Sequence, residues 1–124
     1  MADGYEIKRA DEFETLEGSG SAKWMLARRG LDLKAFGMNL VEIGPGGSIP
    51  EHDETPSGQV EVYAILEGNG VLVADGEECP APAGTWGRFD PQVKRTILNR
   101  SEAPLTALLI GCPAATGYEP MDWA

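Results

Sequence analysis

Histidine occurs once in this chain of 124 residues, cysteine twice, and aromatic residues make up only 7%. The single imidazole, His52, is ringed by the acids Glu51, Asp53 and Glu54. The cysteines, Cys79 and Cys112, lie far apart and form no Cys-x-x-Cys, so a reduced pair of small buried side chains is expected rather than a disulfide. Basic residues are also scarce: 10 Lys and Arg stand against 20 Asp and Glu, a formal charge of −10. Such a surface repels phosphates and releases no counterions, which excludes nucleic acid and disfavours anionic membranes. No stretch approaches the ~20 apolar residues of a membrane helix. The opening "MADGYEIKRADEFETLEG" has no apolar h-region, so no signal peptide is read there and a cytoplasmic protein is expected. Without secretion, the sequon at Asn99-Arg100-Ser101 carries no weight.

What the chain has in quantity is backbone punctuation. The 16 glycines and 9 prolines are one residue in five, which suits short strands joined by turns. Residues 8 to 17 read as one turn or a short helix. From residue 23 the text is extended runs. In "KAFGMNLVEI", Phe36, Met38 and Leu40 alternate with Ala35, Gly37 and Asn39, the pattern of a half-buried strand. In "QVEVYAIL", Gln59, Glu61, Tyr63 and Ile65 share one face and Val60, Val62, Ala64 and Leu66 the other. Asn69-Gly70 and Asp75-Gly76 both read as two-residue hairpin turns around "VLVA". "KWMLARRGL", "GTWGRF", "RTILN" and "PLTALLIG" supply further strands. About eight short strands at ~8–12-residue spacing predict a closed all-β barrel or sandwich.

The run Gly47-x4-His52-x-Glu54-x6-Glu61-x6-Gly68 resembles the first motif of the cupins, G-x5-H-x-H-x(3–4)-E-x6-G. Gly76-x5-Pro82-Ala83-Gly84 is similar to the start of their second motif, and Arg95-Thr-Ile-Leu-Asn99 to its end, after a longer insert. The likeness spans about residues 36 to 112. It implies a single-domain double-stranded β-helix, or jelly-roll barrel: an N-terminal arm over 1–22, the barrel over 23–112 and a tail over 113–124. Cupins commonly pair as dimers, so a homodimer through the edge strands and the N-terminal segment is expected, with Trp24 at that interface or in the core. The places of Trp86 and Trp123 stay open.

In metal-binding cupins two His and a Glu of the first motif and one His of the second hold a divalent ion in the lumen. Those positions fall here on His52, Glu54, Glu61 and Arg95, so two ligands survive, one is a carboxylate in place of His, and one is a cation. His52, Glu54 and Glu61 together make a possible one-His, two-carboxylate set for Mn, Fe, Zn or Ni. Arg95 has no lone pair and does not ligate. It can instead pair with Glu61 or Glu54, a built-in charge in place of the ion's, which favours a metal-free lumen without a cofactor.

No Gly-x-Ser-x-Gly accompanies Ser48 or Ser57, and "GPGG" lacks the Lys of a phosphate loop. The reading is therefore a small-molecule-binding barrel in which Arg95 anchors an anionic group and Gln59, Tyr63 and His52 add polar contacts. Two alternatives stand beside it. One is a metal-dependent dioxygenase, isomerase or decarboxylase acting on a small organic acid. The other is a dimeric structural or regulatory module, so whether the chain is an enzyme is open.

Overall fold

A computed structural model describes residues 4–124. The first three residues of the expected arm lie outside the described residues. Among the described residues a short 3-10 helix at Ala10–Glu12 precedes nine strands, which are all antiparallel. They are β1 (Thr15–Glu17), β2 (Ala22–Met25), β3 (Gly37–Ile43), β4 (Gln59–Glu67), β5 (Asn69–Ala74), β6 (Glu77–Pro82), β7 (Trp86–Phe89), β8 (Arg95–Leu98) and β9 (Leu105–Pro113). One sheet runs β1-β2-β3-β9-β4-β7 and the other β6-β5-β8. The expected all-β jelly-roll barrel is what forms.

The large sheet is graded along its strands. Its inner face begins with the row Ala22, Ile43 and Leu105, followed by Trp24, Val41, Ala107 and Ile65, mostly apolar and buried. The next row is Asn39, Leu109 and Tyr63, and then come Gly37, Gly111 and Glu61. Apolar packing therefore closes one end of the barrel, and polar and small residues collect at the other. The small sheet covers this face with Leu72, Ala81 and Ile97.

Several local expectations need correction. "KWMLARRGL" does not stay extended, because β2 stops at Met25 and a one-turn helix, α1 (Ala27–Gly30), follows. Asp75-Gly76 is the hairpin expected, with φ of +49° and +81° and Ala74 opposite Glu77. Asn69-Gly70 is not a hairpin turn: both residues already lie in β5, opposite Pro82 and Ala81. The turn is at Gly68, φ +89°, where the chain leaves the large sheet for the small one. From within the arm, β1 pairs with β2. Both cysteines are free thiols, but Cys79 is exposed rather than buried.

Candidate functional site

The loop after β3 enters the small sheet beside β8 through backbone bridges at Ser48↔Leu98 and His52↔Arg95. His52 N–H donates to Arg95 O at 3.1 Å, and Arg95 N–H to His52 O at 2.9 Å. The two chemically different side chains are therefore held in adjacent positions by main chain alone. Glu61 approaches from β4, on the opposite wall.

His52 Nδ1 lies 2.9 Å from Pro50 O, which turns Nε2 inward. There it lies 3.1 Å from Glu54 Oε2 and 3.5 Å from Glu61 Oε1. The other oxygen of Glu54 accepts from Ser57 Oγ, and Glu54 N–H donates to Pro91 O at 2.8 Å. Ligand atoms of His52, Glu54 and Glu61 all lie within 4.8 Å of one another.

Arg95 is 0% exposed. Its Nε donates to Glu61 Oε1 at 3.0 Å, and Nη1 to the carbonyls of Val93 and Asp90 at 2.6 and 3.1 Å. Nη2 also lies 3.0 Å from Glu61 Oε1 but is not aligned for a hydrogen bond, so that contact is electrostatic. The guanidinium carbon sits 5.9 Å from the centre of the Phe89 ring. Tyr63, fully buried and tilted against Phe89, donates its hydroxyl to the same Glu61 Oε1 at 3.0 Å. Burial, with Glu61 beside it, pushes the Tyr63 phenol well above the usual tyrosine range. It serves as a hydrogen-bond donor and not as a base.

These contacts decide how well the residues suit a divalent ion. Glu61 Oε1 already receives Arg95 Nε and the Tyr63 hydroxyl, which occupy both its lone pairs. The spacing of the three donors suits a metal, with Glu61 offering its other oxygen, Oε2; what opposes a divalent ion there is the buried Arg95 cation, 3.0 Å from Oε1.

Above these groups opens a cavity of about 180 Å³, lined among others by Trp24, Asn39, His52, Gln59, Glu61 and Tyr63. Hollows of about 390 Å³ beside Tyr5 and about 490 Å³ beside Pro50 are larger, but His52 and Glu61 of the three-donor cluster open onto the smaller one. Arg95 does not line it. The expected direct contact between Arg95 and an anionic ligand is therefore corrected: the guanidinium is spent on Glu61 and two carbonyls and lies behind them. Trp24, left between interface and core, is a cavity wall, whereas Trp86 is 63% exposed. Asn39 was not singled out from the sequence. Its neighbours Met38 and Leu40 look like the buried set of β3, but pairing with Ile110 and Leu108 places them on the outer face and Asn39 inside.

Asn99, the last residue of the second motif, has a structural task. Its Nδ2 lies 2.8–3.2 Å from the carbonyls of Ile43, Gly44 and Ala103, tying β8 to the end of β3.

Comparison with known proteins agrees with this architecture. A predicted oxalate decarboxylase from Thermotoga maritima superposes with a TM-score of 0.76 at 22% identity, over 87% of this chain and 99% of that one. A sugar phosphate isomerase of the cupin superfamily from Silicibacter pomeroyi gives 0.73 at 25% identity, over 94% and 83%. A cupin protein from Bacteroides fragilis gives 0.74 at 25% identity, over 95% and 93%. No curated protein sequence matches the chain. The cupin domain family matches residues 39–111, more than half of the chain and most of the residues that line the lumen, and the chain belongs to that family.

Proposed function

We propose that this cupin binds a small polar molecule in a metal-free lumen. The observation that carries the reading is the Arg95–Glu61 pair. Arg95 occupies the position of a family metal ligand, is fully buried, and has Nε and Nη2 each 3.0 Å from Glu61 Oε1. A fixed positive charge takes over the neutralising work of an ion and opposes a second cation beside it. The cavity of about 180 Å³ is below the ~300–1,000 Å³ of drug-sized pockets, which favours a ligand of a few carbons.

The same reading takes the chain as a cytoplasmic homodimer. Free thiols at Cys79 and Cys112 accord with a reducing compartment. Half-buried Leu40, Leu108, Ile110 and Val62 share the outer face of the large sheet with exposed Trp86, which favours a second copy there. No helix among the described residues is long and apolar enough to cross a membrane.

The donor cluster of His52, Glu54 and Glu61 favours a second reading, a metal-dependent enzyme, and the sugar phosphate isomerase that the chain resembles at 25% identity suggests an isomerase. Titrating chelator-stripped protein with Mn²⁺, Fe²⁺, Zn²⁺ and Ni²⁺ separates the two. The proposal expects no saturable heat and an unchanged melting temperature. One equivalent bound, with a rise in Tm that Glu54→Gln abolishes, would establish the second reading instead.

A further inference from the structure

The lumen exists because two side chains are missing. Gly37, Gly111 and Glu61 lie side by side in register, and a Cβ at Gly111 would come 2.6 Å from Gln59 Oε1 and 3.6 Å from Glu61 Oε2. The glycine thus lets the Gln59 carboxamide fold over the opening and leaves Glu61 Oε2 beside the hollow. From the next row Asn39 presents a second carboxamide. Neither the Asn39 nor the Gln59 side chain, nor Glu61 Oε2, has a hydrogen-bond partner among the described residues. Trp24 closes the side with an indole face.

We propose that this lumen recognises an uncharged, polyhydroxylated small molecule, a polyol or sugar fragment, through the carboxamides of Asn39 and Gln59. The inference rests on the ligand-binding reading above and adds the class of ligand. Charge decides first. Arg95 neutralises Glu61 from behind, His52 faces Glu54, and no cationic Lys or Arg side chain lines the cavity among the described residues. A carboxylate or phosphate entering would meet Glu61 Oε2 without a counter-charge. An ammonium reaching Glu61 would compete with Arg95, which already pairs with that carboxylate. An apolar ligand would leave both carboxamides and the carboxylate oxygen unpaired. A hydroxyl both donates and accepts, so it matches the mixed amides, and it donates to an acceptor-only carboxylate. The Trp24 face then covers the carbon skeleton.

Isothermal titration with erythritol and D-xylose, against malonate and inorganic phosphate, tests this on the intact chain. Asn39→Leu and Gln59→Met keep side-chain volume and remove the amides, and thermal melts check that each folds. If either does not, Asn39→Ala or Gln59→Ala gives the same readout. The expected result is saturable polyol binding in the millimolar range, weakened at least about tenfold by each variant, with no anion binding. Polyol binding indifferent to both variants would overturn the role of the carboxamides. Anion binding without polyol binding would overturn the ligand class while leaving the ligand-binding reading in place. Binding of neither class would overturn both.

Discussion

Glu61 divides one oxygen among Arg95, Tyr63 and His52, and each partner is held for a different reason. Arg95 compensates a carboxylate that is largely withdrawn from water, with 15% of its side chain exposed. Arg95→Met should therefore leave an uncompensated charge and cost about 3–5 kcal/mol in urea unfolding. The double variant Arg95→Met/Glu61→Leu should recover most of that loss, because replacing a whole buried pair with apolar groups is often close to neutral. A loss below about 1 kcal/mol for the single variant, the range of an exposed pair, would show that the pair does not compensate buried charge.

Tyr63 carries a pH dependence on the alkaline side. An unfolded tyrosine loses its proton near pH 10, whereas the folded phenol, raised by burial and by Glu61, keeps it to higher pH. Its contribution is fully present below pH ~10. It is lost as pH rises further, by up to about 1.4 kcal/mol per pH unit, because the unfolded state releases the proton first. Tyr63→Phe should lose stability less steeply than the wild type between pH 10 and 11, and parallel curves would contradict this assignment. Of the site residues, His52, Glu54, Glu61 and Arg95 were legible from motif spacing. Asn39 was not, because a polar residue between Met38 and Leu40 reads as solvent-facing until the pairing with β9 shows which face is inside.

At the scale of elements, two dipeptides of the same turn chemistry have different fates. Asp75-Gly76 joins strands of one sheet, so local preference and global fold agree and the hairpin was readable. Asn69-Gly70 sits where the chain changes sheet, and the turn falls one residue earlier, at Gly68. Only the sheet assignment of β4 and β5 decides that, and local preference does not contain it. The turn α1 escaped notice for another reason: four residues are too few to show helical periodicity.

The two turn glycines separate backbone strain from crowding. Both have positive φ, +89° at Gly68 and +81° at Gly76. A Cβ at Gly68 would lie 2.7 Å from Pro104 O, whereas one at Gly76 meets nothing within 4 Å. Gly76→Ala should cost about 1–2 kcal/mol, the left-handed penalty alone. Gly68→Ala should cost clearly more, because backbone must also move. Equal losses in chemical denaturation would show that the chain relaxes at the crossing between sheets.

Over the whole molecule, the charge of −10 and the apolar outer face of the large sheet act in opposite directions. Repulsion between copies weakens pairing at low salt, and screening relieves it. Sedimentation should therefore give a dimer at physiological ionic strength that loosens as salt is withdrawn, and Trp86→Asp should weaken it at every salt concentration. A monomer at high protein concentration and physiological salt would contradict the pairing proposed for that face.

The barrel itself was legible because strand alternation, turn residues and two motifs agree along one chain. What the lumen does depends on which carboxylate Arg95 engages, a fact of three dimensions. Elemental analysis tests that most directly. Wild-type protein and Arg95→His would both be purified from medium supplemented with Mn, Fe, Zn and Ni. The account predicts far less than one equivalent of metal in the wild type and stoichiometric metal in the variant, where an imidazole joins His52 and Glu54 and Glu61 loses its cationic partner. A full equivalent in the wild type would contradict the claim that Arg95 stands in for the ion.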